Sequence, residues 1–254
     1  MELFLYVIIF IIGTFFGSFF TLAVYRIPKK EDILMKHSYC PNCNHKLGFF
    51  DLFPVFSYIL LKGKCKYCNN KIRPRYLILE ISSGIAFLIL AISAKINVFN
   101  IYSIIHIIFL LLYVSILFII AGIDKENIKI EKSVLIFGYI MEILYIIYQY
   151  TFERINVYQY VIYASLFIIL LFISNISNSK YGKELYIIQN LYLSLYILIG
   201  YGSIIYILTL ILTLIVILIY KIFKKQTHIP IGFYLCINNI LVVAITNIIT
   251  NYII

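Results

Sequence analysis

Eight apolar stretches separated by short polar clusters set the pattern of this chain. They run from Leu3 to Val24, Tyr76 to Ala94, Ile101 to Ile123, Ser133 to Tyr150, Val157 to Ser174, Leu185 to Tyr201, Ser203 to Tyr220 and Ile231 to Ile254. At 1.5 Å per residue such lengths match a hydrocarbon core about 30 Å thick, so each predicts a membrane-spanning helix. The sixth and seventh meet at Gly200-Tyr201-Gly202. Glycines on both sides of one residue let the backbone reverse at little steric cost, which predicts a tight helical hairpin. Glu2 precedes the first run where a cleaved leader would carry basic residues, and Arg26, Lys29 and Lys30 follow it. A retained helix with its N-terminus outside is expected.

Composition strengthens this pattern. Hydrophobic residues make up 63% of the 254 and charged ones only 13%, and the mean hydropathy is +0.99. Such a chain cannot supply the polar shell of a soluble domain, so lipid is its solvent. The fold class expected is an all-α polytopic integral membrane protein of about eight transmembrane helices, with a small cytoplasmic domain inserted after the first. That gives three parts: a first helix over 1–24, a polar domain over 25–75, and a seven-helix membrane domain over 76–254.

The charges test the alternation. With the N-terminus outside, 19 of the 21 Lys and Arg residues fall on inside connections, and only Lys95 and Arg154 fall outside. The net charge of +10 therefore reads as positive-inside topology facing anionic lipid, with no need for a nucleic-acid partner. Segment 25–75 then lies in the cytoplasm.

Four of the five cysteines sit in that segment, as Cys40-Pro41-Asn42-Cys43 and Cys65-Lys66-Tyr67-Cys68. Two residues between thiolates let one turn present both sulfurs to one ion, and two such turns complete the all-thiolate tetrahedron that zinc prefers. Two disulfides are the competing arrangement, but a reducing cytoplasm favours the metal. With four sulfur ligands no position remains for water, so this zinc would be structural, and a segment this short would draw much of its folding energy from it. The intervening run Leu52 to Leu61 is apolar and suited to packing on protein or membrane, with no basic and aromatic stripe for nucleic acid. Cys236, in the last span, reads as a small apolar packing residue.

Two carboxylates stand out among the eleven acidic residues. Asp124 directly follows the third span, and Glu184 opens the sixth on the same face, so the two could meet at one depth. Paired carboxylates that share a proton can hydrolyse a peptide: the ionised one activates water while the protonated one polarises the carbonyl. Spacing alone equally allows two carboxylates held at helix ends or in ion pairs with neighbouring lysines. Glu80 and Glu142, inside spans, require partners that the sequence does not identify.

The ordered residues resemble the type IV prepilin leader peptidases, membrane aspartic proteases many of which also N-methylate the product. Gly17-Ser18-Phe19-Phe20-Thr21-Leu22 through Arg26-Ile27-Pro28 is similar to the family's Gly-Ser-Phe-x-Asn-Val-x-x-x-Arg-x-Pro, with Thr21 in place of Asn. The likeness continues through Cys40 to Cys43, Asp51-Leu52-Phe53-Pro54, Ser57, Gly63 to Cys68, Arg75-Tyr76 and Glu80, and returns at Ile229-Pro230-Ile231-Gly232. By this resemblance Asp124 is the first catalytic aspartate, although Glu131 and Lys132 stand where the family has Pro-Asp. The Gly-x-Gly-Asp motif of the second corresponds to Tyr181-Gly182-Lys183-Glu184, which lacks both motif glycines and substitutes Glu for Asp; the family's following Lys is Tyr186.

The resemblance implies a bacterial cytoplasmic-membrane enzyme cleaving a prepilin or pseudopilin at the cytoplasmic end of its hydrophobic helix. Methyl transfer would use S-adenosylmethionine, for which the chain carries no Gly-rich fingerprint. The altered second motif also admits a catalytically silent relative that binds pilin-like helices during assembly. A transporter fits the hydropathy but not the cysteine knob, and no pair of spans is broken by Gly or Pro in the transporter manner.

Overall fold

The computed structural model describes residues 2–33, 37–153, 158–181, 185–224 and 229–253. The chain divides into two compact units, Met1–Ile96 and Asn97–Ile254. Among the described residues the long elements are all helices, and seven are long and apolar enough to cross a membrane.

The first unit contains α1 (Glu2–Arg26), the short α2 (Phe56–Leu60) and α3 (Arg75–Ser93). Helices α1 and α3 run antiparallel and very close. A methyl added at Gly13 would lie 2.8 Å from the Cα of Gly84, and one at Gly17 would lie 2.6 Å from the Cα of Glu80. Ser83 Oγ donates to the carbonyl of Gly13 at 2.8 Å. In lipid, where apolar surface gains nothing by leaving the solvent, small residues four apart and interhelical hydrogen bonds are what bring helices together. Buried Phe20 and Phe87 fill the space beside the crossing.

The second unit contains α4 (Ile101–Asn127), α5 (Lys132–Tyr148), α6 (Tyr158–Tyr181), α7 (Tyr186–Lys224) and α8 (Ile231–Ile248). Helix α7 is interrupted at Gly202, whose φ of 76° and ψ of 179° are not helical. Unbroken, its 39 residues would hold its ends about 57 Å apart. Instead both ends reach the first turn of α8: Gly232 N–H donates to Tyr186 Oη at 3.3 Å, and the Tyr220 and Tyr234 rings lie 5.6 Å apart. The expected hairpin is therefore present, and seven apolar helices, one bent double, make eight crossings.

Its returning arm is held by polar side chains. Asn239 Nδ2 donates to Thr209 Oγ1 and Asn238 Nδ2 to Thr213 Oγ1, both at 3.2 Å, while Tyr113 Oη of α4 donates to Asn239 Oδ1 at 2.8 Å. Outward-facing positions are apolar instead, with Val161, Ile168 and Phe172 of α6 well exposed. Polar groups inside and apolar groups outside is the distribution a lipid solvent requires.

Candidate functional site

The two cysteine turns are the same structure repeated 25 residues apart. Cys40 N–H bonds the carbonyl of His45 and Asn44 N–H bonds that of Cys40. In the second turn Cys65 N–H bonds the carbonyl of Asn70 and Asn69 N–H that of Cys65. A bridge closes each turn, Tyr39 with Lys46 and Lys64 with Lys71. Each turn needs one residue in the left-handed region just after its second cysteine, and each supplies Asn, a residue that tolerates it: Asn44 at φ 56° and Asn69 at φ 55°.

These turns bring the four Sγ atoms of Cys40, Cys43, Cys65 and Cys68 within 4.8 Å of one another. Metal–sulfur bonds of about 2.3 Å in a regular tetrahedron require sulfurs about 3.8 Å apart. The Cys40 and Cys68 sulfurs are 3.9 Å apart, nearly twice a disulfide bond length. The donor set thus fits a four-coordinate metal. The backbone N–H of Asn70, then the Asn42 side chain, bring the Cys68 thiol down to about 7, which favours the thiolate that a metal binds. At Cys43 the His45 N–H pulls the other way from partial desolvation and the neighbouring Cys40 and Cys68 thiols, and the thiol rises to about 11. His45 and Tyr67 pack ring to ring at 3.6 Å, linking the turns, and Asp51 Oδ2 accepts from Tyr67 Oη and Gly48 N–H, both at 3.1 Å.

Two charged residues of the helices tie the knob down. Arg26, 1% exposed, donates to the carbonyls of Asp32 and His37, both at 3.0 Å. Glu80 accepts from Val55 N–H at 2.7 Å, which gives this intramembrane carboxylate its partner. Val55 sits at φ 64°, ψ −52°, a costly conformation for a β-branched residue. The Glu80 bond and the Phe53–Phe15 edge contact at 5.4 Å hold the chain on both sides of it.

Asp124 lies inside α4 and not beyond it. The helix continues to Asn127, where Ile128, left-handed at φ 50°, returns its N–H to the Asp124 carbonyl at 2.9 Å. The side chain is fully buried. Its Oδ2 accepts from Tyr186 Oη at the start of α7 and from Phe233 N–H in the first turn of α8, both at 2.9 Å. A helix N-terminus offers unpaired N–H groups and partial positive charge, so a carboxylate from a neighbouring helix caps it well. Gly232 makes this possible, since a methyl there would lie 3.0 Å from Oδ2. Oδ1 has no hydrogen-bond partner among the described residues. Ile130 N–H donates to Gln189 Oε1 at 3.1 Å, fastening the loop after α4 to α7.

Glu184, the second expected carboxylate, lies outside the described residues. Tyr186, two positions later, touches Asp124. Neither Tyr186 nor the Phe233 N–H is identified from the sequence; the available signals are the position of Tyr186 in the second motif and Gly232 in Ile229-Pro230-Ile231-Gly232.

Seven apolar helices, one doubled back, with a four-sulfur cluster after the first, define a polytopic membrane protein bearing a cysteine knob that could hold a metal ion. Residues 11–94, a third of the chain, match the Bacterial Peptidase A24 N-terminal domain family, and the similar proteins that follow carry the prepilin leader peptidase name. It is 39% identical over 88 residues to a prepilin leader peptidase/N-methyltransferase of Vibrio cholerae serotype O1, covering 31% of this chain and 35% of that one. Over 130 residues it is 32% identical to the Bacillus subtilis protein of that name, covering 51% and 50%. Over 81 residues it is 32% identical to the Myxococcus xanthus one, covering 32% and 24%. The matched stretches thus span a quarter to a half of these relatives. No solved structure matches the chain.

Proposed function

We propose that this protein is a prepilin leader peptidase of the bacterial cytoplasmic membrane, with Asp124 and Glu184 as its catalytic pair. The observation that carries the reading is the setting of Asp124: fully buried, fixed through one oxygen by Tyr186 and Phe233, with the other oxygen unbonded among the described residues. A carboxylate oriented in this way is prepared to share a proton with a second one, and Glu184 is two residues from the hydroxyl that touches it. The ionised member takes a proton from water as the oxygen attacks the scissile carbonyl, and the protonated member donates to the carbonyl oxygen; on collapse of the tetrahedral intermediate the first passes its new proton to the leaving amine and the second takes its own back. The substrate is a prepilin or pseudopilin presenting its hydrophobic helix from the bilayer, and cleavage occurs at the cytoplasmic face.

The knob holds a structural zinc through Cys40, Cys43, Cys65 and Cys68, lies in the cytoplasm, and follows an N-terminus that faces outward. The charge distribution supports this orientation. N-methylation of the new N-terminus with S-adenosylmethionine is proposed from the names of the relatives alone.

A second reading is favoured by one observation, the missing glycines and substituted Asp around Glu184: a silent relative that binds pilin-like helices without cutting them. Incubating purified protein with a prepilin decides between them. Wild type is expected to cleave, with Asp124→Asn and Glu184→Gln each lowering the rate by at least about a hundredfold. Absence of cleavage by wild type, where a V. cholerae-type enzyme works, leaves the binding reading. Full activity of Glu184→Gln removes Glu184 from the pair.

A further inference from the structure

The second unit contains a cavity of about 470 Å³, lined by residues that include His106, Tyr113, Glu142, Tyr196, Gly200 and Tyr201. It lies far from Asp124. His106 and Asp124 are 18 positions apart on one continuous helix, α4, or about 27 Å. The cavity belongs to the end of the unit where α7 turns at Gly202. Its size is that of a small-molecule site.

Glu142 is 7% exposed, and neither carboxylate oxygen has a hydrogen-bond partner among the described residues. Among the described residues, none that lines the cavity is Lys or Arg. An intramembrane carboxylate is costly and marks a functional site unless something compensates it. The space before it is open because residue 200 is glycine: a methyl there would lie 2.8 Å from Glu142 Oε1 and 2.8 Å from the Tyr113 ring. Around that space stand aromatic rings. Tyr113 stacks on Tyr196 at 5.1 Å and meets Tyr201 edge-on at 5.0 Å, and Tyr145, hydrogen-bonded to His106 at 2.6 Å, adds a further wall. One carboxylate surrounded by tyrosines is a poor donor set for a divalent metal, which takes six or so oxygen ligands. It suits an organic cation, which gains from a counter-ion and from ring faces at once.

We propose that this cavity binds a singly charged organic ammonium group, with Glu142 as counter-ion and the tyrosine rings as its walls. The site is independent of the peptidase reading, since it shares no residue with the Asp124 cluster. Ammonium chemistry reaches such a cavity as a free amine from water or as the head group of a phospholipid.

The test uses the full chain purified in detergent. Tetramethylammonium and ethanolammonium chloride are titrated against sodium chloride at matched ionic strength, with thermal unfolding and tyrosine fluorescence as readouts. In a parallel arm, native mass spectrometry compares retention of phosphatidylethanolamine and phosphatidylglycerol. Saturable binding in either arm is expected, selective over sodium or over phosphatidylglycerol, and weakened about tenfold or more in Glu142→Gln. The responding arm identifies the source. Gly200→Ala, which keeps the carboxylate and fills the space before it, is expected to weaken binding likewise, and it carries the test alone if Glu142→Gln does not fold. No saturable, selective binding by wild type in either arm overturns the proposal. So does binding that both substitutions leave unchanged.

Discussion

The cysteine knob and the Asp124 site are both clusters of reactive atoms, but the chain assembles them over different distances. Each knob turn is complete within eight residues, and its sulfurs are placed by backbone hydrogen bonds between near neighbours. The Asp124 cluster joins a donor 62 positions away to another 109 positions away. Local rules of turn chemistry fix the first. Only the packing of α4, α7 and α8 fixes the second, so the two should fail differently when they are perturbed.

The largest effect is expected on the knob. Removing one sulfur with Cys65→Ser, or the metal with a chelator, withdraws on the order of 10 kcal/mol of binding free energy that serves as folding energy. Metal content should fall from one ion per chain to none, and segment 37–74 should become open to protease while the membrane helices keep their circular dichroism. Retention of protease resistance without metal, combined with sensitivity to a reducing agent, would establish two disulfides and end the zinc assignment.

The Asp124 cluster should respond next to a change of shape. In Gly232→Ala the new methyl lies 3.0 Å from Asp124 Oδ2 and 3.2 Å from Ile130 Cδ1, so the start of α8 must shift. Overpacking of this kind costs about 1–3 kcal/mol, and a displacement near 1 Å at a reacting group costs about a hundredfold in rate. Prepilin cleavage should fall by that order with metal content unchanged. Unaltered cleavage would show that the contact between α8 and Asp124 does not set the catalytic geometry.

How much of each region was legible in the sequence follows from the same difference. The eight spans could be located because the hydrophobic signal is local; even the hairpin was marked by Gly200 and Gly202. The four clustered cysteines could be named because CxxC spacing is itself the turn geometry. Glu80 could be flagged but not paired, since its donor is a backbone N–H at Val55, 25 residues away, and backbone groups leave no mark in a sequence. Tyr186 stayed hidden for a similar reason. A tyrosine in a chain with 24 of them stands out only once α7 lies against α4. The close packing of Gly13 and Gly17 against α3 at Glu80 to Gly84 came from the structure.

Tyr186→Phe divides the two readings of the Asp124 cluster with a smaller change. It removes one hydroxyl and leaves the ring, so the carboxylate loses the donor at 2.9 Å and Gly232 N–H loses its acceptor at 3.3 Å. Hydrogen bonds to charged groups contribute about 1.5–3 kcal/mol. In an active peptidase, kcat should fall about tenfold or more with little change in KM, because the loss falls on a positioning group. In a silent relative the same substitution lowers only thermal stability, and prepilin binding stays at its wild-type level.

The smallest effect sharpens the claim that the knob is governed locally. Asn69 is held at φ 55°, where Ala pays a steric cost of about 1 kcal/mol and Gly pays none. Asn69→Ala should therefore weaken metal retention about fivefold in competition with a chelator, while Asn69→Gly stays within a factor of two. The same pair at Asn44, at φ 56°, should give the same two results, because the two turns share one set of backbone hydrogen bonds. A large loss in both Ala and Gly variants would mean that the Asn side chains, and not the left-handed backbone they permit, hold the turns together.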